Sequence, residues 1–301
     1  MVEEQVPERL RGRLKLWKAV GDELLFVVDV DEESEVHDFV SAWVRAMDGY
    51  EAMLSTKNHE MMESGASSPP LNSMKTKGGA FVATFPEPDY EIVVAHSPSE
   101  ATSDLDPILL NERLKEHPSP GNLQDFLGTS IDTGFRVSAR ASQRYFTLSL
   151  EVAWAFAQHL KTQTNEPVSN MVLLEEIALK GVWGGRAYPL FAIDRAATDS
   201  YNQAMQRMQN VPHLKAMDIC NLAESCHSDK AWPSLIHFPA STFPAFTGNK
   251  DRLESAQTRI SERTDRSAEG DELRELSTEA FSADEDVSNM RVQAPPADGS
   301  P

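Results

Sequence analysis

The chain has 301 residues, 40% of them hydrophobic, enough for a real core in one large domain or two small ones. No apolar run approaches the roughly 18 residues needed to cross a bilayer, and the charged N-terminus MVEEQVPERLRGRLK lacks the apolar stretch of a secretory signal. A net charge of −19 argues against a nucleic-acid binder that works by neutralising phosphates, and two cysteines outside any CxxC or zinc spacing fit a reducing cytoplasm.

The predicted elements run as follows. Leu14–Val20 and Leu24–Val30 read as two strands joined by the tight turn Gly21-Asp22, a β-hairpin. Ser34–Met53 carries apolar residues at helical spacing, from Val36, Phe39 and Val40 to Met47. Asn58–Met74, rich in Ser, Pro and Gly, reads as a mobile loop. Gly79–Phe85 and Tyr90–Ala95 read as strands, Asp132–Ala141 as a helix, Tyr145–Ser149 as a strand and Leu150–Lys161 as a helix. A strand pair is expected at Glu176–Trp183 and Arg186–Ile193, and a helix at Tyr201–Met208. This mixed order predicts an α+β fold with helices packed on one mixed or antiparallel sheet. From Asp251 onward aromatics nearly vanish and Ser, Glu, Asp and Arg dominate, so 251–301 is expected to be a disordered acidic tail with a transient helix near Asp271–Phe281. The organisation expected is 1–195 as the main domain, 196–250 as an extension packed on it, and then the tail.

Two segments carry the chemistry. In the first, Trp17-Lys18-Ala19-Val20-Gly21-Asp22, Lys18, Val20 and Asp22 alternate on one strand face, and Gly21 allows a tight turn that holds Asp22 at a rigid tip. A carboxylate there suits Mg2+ or Mn2+, and it equally suits plain turn chemistry. In the second, Asp125 and Gly128 precede a helix on which Asp132 and Arg136, four apart, share a face. A guanidinium matches phosphate oxygens bidentately, while an Asp–Arg pair at this spacing is also an ordinary helix-surface contact.

Together the two segments resemble the class III adenylyl/guanylyl cyclases. Lys18, Gly21 and Asp22 fit the family's K-x-x-G-D hairpin, and Asp125, Gly128, Ile131, Asp132 and Arg136 fall in register on D-x-x-G-x-x-V-N-x-A-x-R. The resemblance covers residues 8–195. It implies that Asp22 is a metal ligand, that Lys18 and Asp125 recognise the base, that Asp132 replaces the ribose-orienting Asn, and that Arg136 stabilises the transition state. It also implies two Mn2+ or Mg2+ ions per site and a homodimer whose two sites lie between protomers, Asp22 of one facing Asp125, Asp132 and Arg136 of the other. The stretches from Lys77, Ile131 and Leu179 resemble bacterial pyrimidine cyclases that signal phage infection. The expected product is therefore a 3′,5′-cyclic monophosphate of UTP or CTP that activates a downstream effector. An adenylate cyclase and a degenerate, nucleotide-binding cyclase fold are the alternatives.

Two positions depart from the family pattern. The 21 residues before Asp22 hold no apolar strand and no counterpart of the family's first metal carboxylate, so the expectation is either a start assigned too late, with an in-frame strand upstream, which is preferred, or a truncated protein. Asp132 in place of Asn loses an amide donor and adds negative charge. The eight histidines show no ligand spacing, Trp183-Gly184-Gly185-Arg186 reads as a structural turn, and Cys226-His227, as chain neighbours, make a poor nucleophile–base pair.

Overall fold

The computed structural model describes residues 2–65, 74–95, 107–116, 121–163, 170–209 and 214–264. In chain order the elements are α1 (Val2–Gln5), a short 3-10 turn (Glu8–Leu10), β1 (Lys15–Val20), β2 (Glu23–Val27), α2 (Glu33–Glu63), β3 (Gly79–Ala80), β4 (Asp89–Val94), α3 (Pro107–Glu116), β5 (Leu123–Gly128) and α4 (Thr129–Ser138). They continue with β6 (Tyr145–Leu148), α5 (Leu150–Gln163), β7 (Met171–Ala178), a 3-10 turn (Trp183–Gly185), β8 (Ala187–Asp194), α6 (Ser200–Gln209), α7 (Ala216–His227), α8 (Pro244–Thr247) and a last helix, α9, over 250–264. The fold is thus mixed α/β, with small sheets flanked by helices.

The chain divides into two compact units, Met1–Ile92 with Gln124–Leu253 and Val93–Leu123 with Glu254–Pro301. In the second, Asn111 on α3 accepts the Val93 amide at 2.8 Å. In the first, a four-stranded sheet has the order β3-β6-β8-β7, with β3 parallel to β6 and the other pairs antiparallel. The hairpin β1–β2 and the pair β4–β5 are separate two-stranded sheets. Apolar residues of α5, fully buried from Leu150 to Ala157, pack with Phe146, Leu148, Tyr188, Leu190 and Phe191 of the sheet. Ile219, Ala223, Trp232, Ile236, Phe238 and Phe246 lie in the same core, so the stretch from Ile219 to Phe246 is continuous with it. A second small cluster, Val6, Leu10, Phe39 and Ala42, fastens the N-terminal residues to α2.

Several expected bounds move. The helix predicted to end at Met53 runs to Glu63, through the first residues of the expected loop; the pairs Lys57–Glu60 and His59–Glu63 lie along that extra length. The strand expected over Gly79–Phe85 is two residues long, because its ladder partner β6 gives way to α5 at Leu150. The strand expected at Glu176–Trp183 lies earlier, at Met171–Ala178; as the sheet's edge strand it tolerates Glu175 and Glu176 at exposed positions. Residues 251–264, the start of the expected tail, lie in the helix over 250–264. The rest of that tail, the Asp271–Phe281 segment and 66–73 of the polar stretch lie outside the described residues. Among the described residues no helix is long and apolar enough to cross a membrane.

Candidate functional site

The hairpin closes with Val20 opposite Glu23, leaving Gly21 and Asp22 as a two-residue turn. Gly21 has φ +62°, as a glycine-first hairpin loop requires. Asp22 is exposed in this turn rather than aligned on the face of the strand. The register slips between Leu16 and Lys18, so Trp17 is the extra residue of a β-bulge. A bulge re-aims side chains that strict alternation would send to opposite faces. Trp17 and Lys18, although adjacent, both reach Asp125.

Asp125 Oδ1 accepts three hydrogen bonds, from Lys18 Nζ at 2.6 Å, from Trp17 Nε1 at 3.1 Å and from the Phe126 amide at 2.9 Å. Partial burial pushes the Asp125 carboxyl up, but these bonds and the Lys18 charge outweigh it and hold the group below the ordinary carboxylate range. Around this pair is an aromatic wall. Trp17 meets Phe126 edge-on at 4.9 Å and Phe135 at 6.0 Å, Phe85 lies 5.4 Å from Phe126, and the Lys18 ammonium stands 4.2 Å from the Trp17 ring centre. Phe135 belongs to α4, so Trp17 links the Lys18–Asp125 pair to the helix that carries Asp132 and Arg136.

On α4, Arg136 donates through Nε to Asp132 Oδ2 at 2.9 Å and through Nη2 to Oδ1 at 3.0 Å. Both side chains are substantially exposed. The two motif pairs therefore form within one chain, Lys18 with Asp125 and Asp132 with Arg136, and Asp22 joins neither. Among the described residues no group of three or more His, Cys, Asp and Glu is placed to hold a metal ion. One exposed carboxylate does not make the two-ion site that the resemblance implies.

Two further residues shape the site and carried no sequence signal. Trp17 is one, since its reach depends on the bulge. The other is Asp89, wholly buried, which accepts the Thr84 amide at 3.1 Å and the Ser130 amide at 2.9 Å. Ser130 is the second residue of α4, whose own N-cap, Gly128, gives no side-chain bond. Gly128 has φ +152°, and a Cβ there would stand 2.0 Å from Asp89 Oδ1.

Elsewhere, His227 Nε2 lies 3.2 Å from the buried Glu151, which also accepts Trp232 Nε1 at 2.9 Å. This arrangement places His227 with a carboxylate and not with Cys226, whose buried thiol is pushed up to about 11. Trp183 and Arg186 of the expected turn both donate to Asp229, and Arg186 stacks on Trp183. His37 and His159 meet at a tilt with ring centres 4.6 Å apart across α2 and α5, whereas His96, His117 and His213 lie outside the described residues. Compared with protein-family models, with curated proteins and with solved structures, the chain matches none.

Proposed function

We propose that the chain is a nucleotidyl cyclase that closes a nucleoside triphosphate, UTP or CTP first, into its 3′,5′-cyclic monophosphate with release of pyrophosphate. The observation that carries this reading is the Lys18–Asp125 contact, which joins residues 107 apart at 2.6 Å beside the helix bearing Arg136. An ammonium and a carboxylate side by side offer one donor and one acceptor. The Watson–Crick edge of a pyrimidine presents the complement, an acceptor beside a donor. Adenine N1 and its 6-amino group also set an acceptor beside a donor, in cytosine's order, which keeps adenylate cyclase as the alternative. The aromatic wall supplies flat apolar surface for the base.

In the reaction the ribose 3′-oxygen bonds to the α-phosphorus as its proton passes to solvent, and the bond from that phosphorus to the bridging oxygen of pyrophosphate breaks. Negative charge on the phosphoryl oxygens is what a guanidinium stabilises, and Arg136 is the residue for it. Asp132 holds that guanidinium until phosphate takes its place, and its carboxylate then accepts from a ribose hydroxyl. Asp22 is the residue that would meet a Mn2+ or Mg2+ ion carried in by the triphosphate. The exposed apolar residues of the hairpin, Leu16, Val20 and Leu24, supply a surface for a second copy, and a homodimer brings Asp22 to the partner's nucleotide. A cyclic pyrimidine nucleotide is a second messenger, and a cytoplasmic antiphage role acting through a responsive effector completes the reading.

The exposed position of Asp22, which joins neither motif pair, favours one second reading, a cyclase fold that binds nucleotide without turnover. Titration calorimetry with UTP, CTP, ATP and GTP in Mn2+ tests the shared premise. Binding is expected to weaken at least about tenfold in both Lys18→Met and Asp125→Ala, since each leaves its partner charge unpaired. Equal affinity in wild type and variants removes the base-recognition role and the proposal with it.

A further inference from the structure

We propose that Asp89 is a positioning residue for this site, clamping the start of α4 so that Arg136 and Asp132 stand where the nucleotide needs them; the inference rests on the nucleotide reading above. Asp89 is 0% exposed, an expensive place for a carboxylate. It uses both oxygens, Oδ1 for Ser130 on α4 and Oδ2 for Thr84 in the loop after β3. Its own amide donates back to the Thr84 carbonyl at 3.3 Å, closing the turn that carries Phe85 to the aromatic wall. The same side chain fills the space a Cβ at Gly128 would take, so it sits at the junction of the strand bearing Asp125 and the helix bearing Arg136. An anion at a helix N-terminus also complements the helix dipole. A serine or threonine cap would satisfy one amide; a buried two-oxygen acceptor ties two segments to one point.

The test compares wild type, Asp89→Asn and Asp89→Ala in the full chain, by steady-state turnover and by amide hydrogen exchange along α4. Asp89→Ala is expected to lose about 100-fold in kcat with KM within about threefold, the signature of a misplaced transition-state group. Asp89→Asn keeps an acceptor for Ser130 and is expected to recover most of that loss. The Ser130 and Ile131 amides should exchange at least about tenfold faster in Asp89→Ala. Should Asp89→Ala fail to fold, Asp89→Ser decides, since its one shorter acceptor cannot hold both amides: Ser130 exchange and kcat per folded protein both at the wild-type level would overturn the positioning role. Wild-type kcat in a folded Asp89→Ala overturns it as well. If the wild type turns over none of the four triphosphates, the cyclase reading fails by itself, and the exchange arm still judges the clamp: unchanged α4 protection in Asp89→Ala refutes it.

Discussion

Arg136 is held in the free protein by Asp132, the residue standing where the family motif has asparagine. Both partners are exposed, so the contact contributes only about 0.3–0.5 kcal/mol and yields readily to a phosphate. Asp132→Asn is therefore expected to lower KM for the triphosphate about twofold, provided the asparagine still serves the ribose; a rise in KM would show that the carboxylate itself is needed. Arg136→Ala should reduce kcat about 100-fold or more while leaving the unfolding temperature unchanged, and an unaltered rate removes its role. At this scale the sequence made Lys18, Asp125, Asp132 and Arg136 legible, because each sits at a fixed offset in a motif. Trp17 and Asp89 were hidden: one depends on a register slip, and the other on tertiary burial of a polar residue in the PEPDY part of the stretch from Lys77.

Among the elements, the bulge in β1 and the junction between β5 and α4 do most to build the site. Gly134, where the motif carries alanine, faces the Phe81 ring so closely that a Cβ would lie 2.1 Å from its Cγ. Gly134→Ala and Gly128→Ala are both expected to destabilise the chain by about 1–3 kcal/mol through overpacking, measured by urea unfolding. Stability equal to wild type would mean that α4 can shift freely, and so would weaken the account of a fixed Arg136. The hairpin, α5, β6 and β8 were legible because their apolar periods are strong. The ends of α2 and β7 were not, since surface charge pairs prolong a helix that composition alone would end, and an edge strand admits glutamates.

In the larger unit, the main core joins the sheet, α5 and residues between Ala216 and Phe246, and the carboxylate of Glu151 is buried. Burial pushes this carboxyl up, but His227 and the Trp232 indole outweigh burial and hold it below the ordinary range. A depressed carboxyl contributes stability that is present above its unfolded value, about 4.3, and lost as pH falls through the folded one. Glu151→Gln should accordingly flatten the fall in stability below about pH 5, read from unfolding curves at several pH values; an unchanged slope would assign acid sensitivity elsewhere. The exposed hairpin leads to a second expectation at this scale. Leu24→Glu should convert a sedimenting dimer to monomer and abolish turnover together, whereas a fully active monomer would refute the shared site.

The most direct measurement is product identity. The purified chain is incubated with UTP, CTP, ATP and GTP in Mn2+, beside Arg136→Ala, and the products are resolved by mass spectrometry. The account predicts a 3′,5′-cyclic pyrimidine monophosphate and pyrophosphate from the wild type and none from the variant. All four triphosphates recovered intact, or the same product formed by Arg136→Ala, would contradict it.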